Sequence, residues 1–244
     1  MIGIFDSGSG GLTVLKEIRA RLPKADIVYF GDIKNAPYGV KLQAELLELT
    51  HQAIGLLQDR GATHIVSACN SVSAALAVSN APKDMIEMIE PTVASFKDSS
   101  AKILLVATPA TINAEIYQNA FKMIGKEIEV LAIEPLAGQI EFGVSEAEIE
   151  ATIHAAFVGA DLNHVDTLIL GCTHYPLVRN IFERVVPGLT IIDPATAVAE
   201  RAAAQFAEEG TGVTTFLISA DSEPFRTRVA EFFSETSFTI EVLE

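Results

Sequence analysis

The sequence has few of the residues that build a disulfide framework or a polyanion-binding surface. Only two cysteines, Cys69 and Cys172, occur among its 244 residues, and 17 basic residues stand against 32 acidic ones for a net charge of −15. No cluster of lysine or arginine interrupts this acidity, which argues against nucleic acid and anionic membranes as partners. A structural disulfide is not expected, so each thiol is buried, metal-binding or catalytic.

Long hydrophobic runs are also missing. The apolar stretch MIGIF meets Asp6 at once, which leaves it too short for a signal peptide or a membrane span. We therefore expect a cytoplasmic protein. Hydrophobic residues still make up 49% of the chain, enough for a buried core in one large domain or two smaller ones.

Short β-branched runs alternate with longer segments of helical spacing. IGIF precedes GLTVLKEIRARL, DIVYFGD precedes LQAELLELTHQAIGLLQDRG, and THIVSA precedes SVSAALAVSN. The runs AKILLVA, EIEVLAIE, VDTLILG and LTIID continue this alternation, and TTFLIS and FTIEVLE form a final pair. The pattern predicts an α/β fold with mostly parallel sheets flanked by helices.

The two halves of the chain repeat each other at a fixed offset. Four predicted strand ends of the first half match four of the second at offsets of 102 or 103 residues. The pairs are Asp6 with Thr108, Asp32 with Glu134, Cys69 with Cys172, and Glu90 with Asp193. A proline follows both Glu90 and Asp193. This register predicts two similar domains with a ligand cleft between the carboxyl ends of their strands. We expect one domain over residues 1–94 completed by 213–244, and a second over 95–212, with hinges near 91–101 and 195–213.

Each cysteine lies where a predicted strand leads into a polar cluster and a helix. Backbone N–H groups and the positive end of a helix lower a thiol pKa, so a thiolate is expected at either position. Two such sulfurs on opposite faces of a carbon acid can remove a proton from one side and deliver one from the other, which inverts that carbon. The alternative is an old duplication that left two cysteines as buried hydrophobes.

Polar residues beside the thiols suit a small zwitterionic or dicarboxylic ligand. They end neighbouring predicted strands, and their backbone N–H groups at helix starts can hold carboxylates. The set comprises Asp6, Ser7, Asn70, Ser71, Thr108, Thr111, Thr173 and His174. Asp6 or Asp32 can meet an ammonium group, and His174 is close enough along the chain to exchange a proton with Cys172.

Several motifs resemble the glutamate racemases of the cofactor-independent aspartate/glutamate racemase superfamily. The segments are GIFDSGSGGLTVLKEI, YFGDIKNAPYG, ACNS, ATPATI, LILGCTHYPLV, IID and the tail FLISADSEPFRTRVAEFF, which together span nearly the whole chain. The resemblance implies a two-domain enzyme that interconverts L- and D-glutamate without pyridoxal phosphate or metal, and that supplies D-glutamate for peptidoglycan. It also implies a homodimer.

The same resemblance implies roles for individual residues. Cys69 acts on the D-face and Cys172 on the L-face, with His174 assisting the second thiol and Asp6 counted with the catalytic groups. Substrate contacts fall on Asp6, Ser7, Pro37, Tyr38, Gly39, Asn70, Ser71, Thr108, Thr111, Thr173 and His174. Asp32 and Glu141 match secondary acid/base helpers, Glu141 only loosely.

The chain departs from the family pattern at two further places. Ser71 stands where the family usually has threonine, and Ile33 follows Asp32 where the family has a threonine hydroxyl. A racemase for aspartate or another small amino acid keeps the thiols and changes these surroundings, so it stays open as an alternative. A non-catalytic amino-acid-binding protein on the same scaffold is a second alternative.

Other chemistries fit the residues less well. DSGSGG after a strand suggests a dinucleotide site, but Thr13 occupies the third glycine position of that fingerprint. A zinc site needs more ligands than Cys172 and His174 provide at zinc-binding spacing. Thiol-dependent acyl transfer or isomerisation, with one cysteine as nucleophile, is a third possibility that a trapped covalent adduct would reveal.

Overall fold

The computed structural model describes residues 1–76, 82 and 84–243. Within these residues nine strands, β1 to β9, span Ile2–Asp6, Ile27–Gly31, His64–Ser67, Ile103–Ala107, Glu129–Ala132, Thr167–Gly171, Thr190–Ile192, Thr214–Ile218 and Phe238–Val242. Eleven α-helices, α1 to α11, span Leu12–Arg21, Gln43–Asp59, Asn70–Leu76, Ile89–Ala94, Pro109–Asn113, Ile116–Met123, Leu136–Phe142, Glu146–Phe157, Arg179–Val185, Ala195–Gln205 and Glu223–Phe233. No helix in the described ranges is both long and apolar enough to cross a bilayer.

The strands form two sheets. One has the order β3-β1-β2-β8-β9 and the other the order β5-β4-β6-β7. Every pairing between these named strands is parallel. The predicted α/β class and parallel sheets are therefore confirmed, and the parallel arrangement brings the carboxyl ends of neighbouring strands to one edge of each sheet.

Helices cover both faces of each sheet, which explains why the central strands are apolar throughout. Strands β1, β4 and β6 are buried at every position, as expected for parallel strands packed on both sides. In the first sheet, Ile4 packs towards α1, α10 and α11, whereas Phe5 packs towards α2 and α3. In the second, Leu104 faces α7, α8 and α9, and Leu105 faces α4 and α6.

The predicted repeat is visible in the sheet orders. The neighbours β3-β1-β2 of the first sheet correspond to β6-β4-β5 of the second. A parallel bridge from Ile86 to Val66 takes the place that β7 occupies beside β6. In the fourth predicted pair, Asp193 does follow a strand, β7, but the strand end predicted at Glu90 was wrong, because Glu90 lies in helix α4. That helix begins early because the Glu87 carboxylate accepts the N–H groups of Ile89 and Glu90 at 2.7 and 2.6 Å.

The chain crosses between the sheets twice. It leaves the first sheet after α4, builds the whole second sheet, and returns through α10 to place β8 against β2. The buried residues of α10, including Ala195 and Val198, pack in the core of the first sheet. The domain boundary at 94/95 stays a prediction. Because α10 packs on the first sheet, we propose that the other boundary lies near Pro194 and not at 212/213.

Candidate active site

The two cysteines line one small cavity between the carboxyl edges of the two sheets. Cys69 comes two residues after β3, and Cys172 follows β6 directly. The cavity is lined by Ser7, Pro37, Tyr38, Gly39, Cys69, Asn70, Ser71, Thr108, Ala137, Cys172, Thr173 and His174. Each sheet thus contributes one thiol, and the thiols are 4% and 6% exposed. This is the arrangement that the internal repeat predicted.

The glycine-rich loop after β1 reaches across to the second sheet. A Cβ atom on Gly10 would lie 2.6 Å from Nδ1 of His174 and 2.7 Å from Oγ1 of Thr173. No side chain fits in that space, so residue 10 must be glycine for the loop to approach so closely. Gly8 lies equally close to Glu141 of α7, so two glycines of the DSGSGG segment serve this contact between the two sheets.

Asp6 supports the cavity from behind its lining. Its Oδ2 accepts the Gly11 N–H at 2.7 Å, and its Oδ1 accepts the Thr173 hydroxyl at 3.4 Å. Burial raises the pKa of Asp6, while the positive charge of His174 and the N–H of Gly11 oppose that rise. The sequence placed Asp6 in contact with substrate, whereas here its carboxylate holds a loop from one sheet against a threonine from the other.

Burial has the largest effect on the acidity of the Cys69 thiol. Burial raises its pKa well above the usual value, and the negative charges of Asp6 and Cys172 raise it further. The N–H of Val72 at the start of α3 lowers the pKa, but by less than burial raises it. Of the two positions at which the sequence allowed a thiolate, burial therefore disfavours Cys69.

Cys172 belongs to a chain of buried hydrogen bonds. Its Sγ lies 3.9 Å from Nδ1 of His174, whose Nε2 lies 2.7 Å from Oε2 of Glu141. Burial lowers the pKa of His174, but its bonds to Cys172 and Glu141 outweigh burial and raise it. Burial alone would raise the pKa of Glu141, but hydrogen bonds from His174 and Ser9 outweigh burial and lower that pKa. Glu141 is therefore a carboxylate, so Nε2 of His174 carries a proton and Nδ1 faces the thiol.

Asp32 acts through Tyr38 rather than on the cavity. Its Oδ2 accepts the Tyr38 hydroxyl at 2.6 Å, and its Oδ1 accepts the Ser219 hydroxyl at 2.7 Å. Burial and the Asp32 charge raise the pKa of Tyr38, so Tyr38 stays a phenol. Ile33, one of the departures from the family pattern, packs in the core of the first sheet and does not line the cavity.

A row of hydroxyls borders the cavity beside Cys69. Oγ of Ser71 and Oγ1 of Thr108 are 3.0 Å apart, and Oγ1 of Thr108 lies 3.2 Å from that of Thr111. Thr111 is completely buried behind Thr108 and is not part of the lining. A Cβ atom on Gly39 would lie 2.6 Å from Cβ of Thr108, so the glycine allows this row to sit against Tyr38.

Four functional side chains were not found from the sequence. Tyr117 of α6 donates its hydroxyl to Oδ1 of Asn70 at 2.6 Å. Nδ2 of Asn70 is buried at the cavity and has no hydrogen-bond partner among the residues that the structure describes. The others are Ala137 in the lining, and Ser9 and Arg228 beside Glu141. None of these four residues lies at a strand end, where the sequence pattern pointed, although Ser9 is part of the DSGSGG segment.

Metal ligands do not converge here. Among the described residues, no group of three or more His, Cys, Asp or Glu side chains is arranged to hold a metal ion. The polar groups at the cavity are instead hydroxyls, the amide of Asn70, the imidazole of His174 and the two thiols, which suit an organic ligand with carboxylate groups.

A family profile described as Asp/Glu/hydantoin racemase matches residues 10–202. The chain belongs to this racemase family. A glutamate racemase of Aquifex aeolicus (strain VF5) is 36% identical over 216 residues, covering 86% of this chain and 85% of that protein. The resemblance predicted from the motifs is confirmed, and so is the racemase class of enzyme.

Solved racemase structures share the fold across the full chain. The glutamate racemase of Bacillus anthracis superposes with a TM-score of 0.86 at 26% identity, covering 100% of this chain and 97% of that one. The glutamate racemase of Francisella tularensis subsp. tularensis SCHU S4, in complex with D-glutamate, superposes with a TM-score of 0.84 at 27% identity and the same coverage.

Proposed function

We propose that this racemase interconverts L-glutamate and D-glutamate, with Cys69 and Cys172 as its two acid/base groups. The observation that carries the proposal is that two thiols from different sheets line one cavity. The glutamate racemases among its relatives, one of them in complex with D-glutamate, support glutamate as the substrate. Delivery of D-glutamate to peptidoglycan, a cytoplasmic location and a homodimer belong to the same proposal.

The reaction is a transfer of two protons. One sulfur, as thiolate, takes the α-proton and becomes a thiol, while the electron pair stays on the α-carbon beside the carboxylate. The other sulfur, as thiol, gives its proton to the opposite face and becomes a thiolate. The substrate is inverted, no atom is lost, and the enzyme is left in the opposite protonation state. Each proton transfer by a positioned group contributes on the order of 10²–10⁴-fold.

His174 provides a path for the proton on Cys172. Its Nε2–H is held by the Glu141 carboxylate, so Nδ1 is the atom that exchanges a proton with sulfur. When both of its nitrogens are protonated, His174 stabilises a Cys172 thiolate next to it. Transfer of the Nδ1 proton to the sulfur gives a neutral Cys172 thiol and a neutral imidazole. Cys69 has Asp6 beside it instead, and the pKa of its thiol is raised by burial. The two sulfurs therefore have different electrostatic surroundings, as a reaction with one acid and one base requires.

The cavity contains hydrogen-bond donors that can bind the carboxylates of the substrate. Nδ2 of Asn70 is a buried donor that finds no partner in the described part of the chain, and burial of an unpaired donor costs about 1–3 kcal/mol. A carboxylate oxygen there would satisfy it. Hydroxyls of Ser7, Ser71, Thr108 and Thr173 provide further donors around the same cavity, which is consistent with an amino acid that carries a second carboxylate.

Substrate entry requires the two sheets to separate at this edge. Both thiols are nearly completely buried, and the lining residues come from both sheets. We propose that the enzyme opens by a hinge at the two chain crossings and closes on its substrate, which excludes water from the carbanion.

Exchange of the α-proton in D₂O tests the function. Purified protein without added cofactor is incubated with L- or D-glutamate, and with L- or D-aspartate, while α-deuteration and optical rotation are followed. Racemisation of glutamate with entry of deuterium supports the proposal. Faster racemisation of aspartate than of glutamate would identify aspartate as the substrate. A ligand-induced rise in melting temperature without any exchange would indicate a binding protein.

A further inference from the structure

Arg228 connects the first sheet to the hydrogen bonds of Cys172. It extends from α11, which packs on the first sheet, and its Nη1 donates to the Ser9 hydroxyl. Its Nη2 donates to the carbonyl of Ile140 in α7, on the second sheet. Nη1 also lies 3.9 Å from Oε2 of Glu141. One guanidinium group thus spans the glycine-rich loop, α7 and the carboxylate that holds His174.

The direction of these hydrogen bonds is fixed by the chemistry of arginine. A guanidinium can only donate, so the Ser9 oxygen accepts from Arg228 and directs its own proton to Glu141. Oε2 of Glu141 then receives Oγ of Ser9 at 2.6 Å, the N–H of Ser9 at 2.9 Å and Nε2 of His174 at 2.7 Å. Three donors on one oxygen leave no place there for a proton. Oε1 of Glu141 is buried and accepts no hydrogen bond from any residue within 1–76, 82 and 84–243.

Burial makes this arrangement consequential. The side chain of Glu141 is 1% exposed and that of Arg228 is 16% exposed, so neither is a freely solvated surface charge. A buried carboxylate that loses its donors takes up a proton more readily. Glu231 also faces Arg228, and Asp6 also acts on His174, so the balance of charge here involves groups from both sheets.

We propose that Arg228 and Ser9 are positioning residues that keep Glu141 ionised and His174 aligned with Cys172 when the two sheets are together. The inference rests on the proposed function, in which Cys172 transfers a proton. It makes the acid/base chemistry of one thiol depend on side chains carried by the other sheet. Separation of the sheets would then disconnect Cys172 from its charged partner, so that the thiol is activated only in the closed enzyme.

Alkylation of Cys172 tests this without any turnover. In a Cys69→Ser background, the rate of reaction with iodoacetamide is measured against pH. We expect Arg228→Gln and Ser9→Ala each to move the midpoint of that profile upwards by about one pH unit. The double variant should move it no further than the larger single shift, because both changes act on the same carboxylate. If the substitutions only made Cys172 more accessible, the alkylation rate at high pH would rise and the midpoint of the pH profile would stay unchanged.

Isotope effects test the same inference during turnover. L- and D-glutamate have equal free energies, so kcat/KM for the two directions must stay equal in every variant. With α-deuterated substrates, however, Cys172→Ser should enlarge the primary isotope effect for the enantiomer whose proton Cys172 removes. Arg228→Gln should enlarge the effect for that same enantiomer and lower kcat/KM about tenfold. A merely structural role would affect both enantiomers alike.

Arg226→Gln is the matched control. Arg226 lies on the same helix, is 44% exposed and pairs with Asp221 at the surface, so its loss should change neither the alkylation midpoint nor the isotope effects. If Arg228→Gln fails to fold by near-ultraviolet circular dichroism, Ser9→Ala tests the same carboxylate with Arg228 in place. An unmoved alkylation midpoint in Ser9→Ala and in a folded Arg228→Gln overturns the inference. A wild-type protein that does not racemise glutamate overturns the proposed function alone, because the alkylation result stands without it.

Discussion

Replacement of Glu141 by glutamine changes one buried charge and little else. The amide keeps the shape of the carboxylate, but it removes the anion that lies 2.7 Å from Nε2 of His174. At an effective dielectric constant of about 20, two unit charges at that separation attract by roughly 6 kcal/mol. Desolvation offsets much of this attraction, and loss of one partner of a buried pair costs about 3–5 kcal/mol of stability.

The loss of stability depends on pH in a definite direction. The lowered pKa of Glu141 gives stability that is present above the usual value of 4.5 and disappears as pH falls through the lowered pKa. The raised pKa of His174 gives stability that is complete below its usual value of 6.5 and disappears as pH rises through the raised pKa. The free energy of unfolding should therefore differ most between wild type and Glu141→Gln at about pH 5.5, and the difference should shrink above pH 7.

Two measurements decide this prediction. Urea unfolding at pH 5.5 and at pH 9.5 gives the difference in free energy, and racemisation at neutral pH should fall by on the order of 10²-fold in kcat/KM. Glu150→Gln is the control, because Glu150 pairs with Arg184 on an exposed helix surface and should change neither quantity. A pH-independent loss of stability, or a folded Glu141→Gln enzyme within threefold of wild-type activity, would refute the charged pair.

Three further expectations follow from the same cavity. Cys69→Ala and Cys172→Ala should each abolish racemisation while the variant still binds glutamate by calorimetry; substantial turnover in either one would exclude a two-thiol mechanism. Tyr117→Phe frees the Asn70 amide to rotate and should raise KM about tenfold with a smaller change in kcat, whereas Tyr175→Phe, which loses a bond to the Ile133 carbonyl, should leave KM unchanged; equal effects would contradict a role in binding. Small-angle scattering should show compaction on addition of glutamate, and identical curves would argue against closure.

The strand ends were predictable because their physics is local. A run such as TLILG can be recognised as a buried parallel strand from its letters alone, and the carboxyl ends of parallel strands must share an edge. The repeat then placed Cys69 opposite Cys172 without any knowledge of their contacts. Most of the polar residues singled out beside these ends do line the cavity.

The residues that the sequence did not reveal depend on how the two sheets meet. Tyr117 reaches Asn70 and Arg228 reaches Ser9 across separations of 47 and 219 residues, and neither pair has a spacing that could be recognised. The degree of burial is equally invisible in the letters, so the sequence could not show that burial raises the pKa of the Cys69 thiol. The single bridge at Ile86 shows a third limit, since a repeat fixes where an element stands but not how long it is.

The order of the first sheet has a consequence for biosynthesis. Strands β8 and β9 take their places beside β2 only after the ribosome has made every strand of the second sheet. Phe216 and Phe225, which pack against Tyr29, are then still missing from the first sheet, while the second sheet already has all four of its strands. Nascent chains of this racemase should therefore acquire protease resistance first in residues 103–192. The strands of the first sheet should stay protease-sensitive until β8 and β9 have been synthesised.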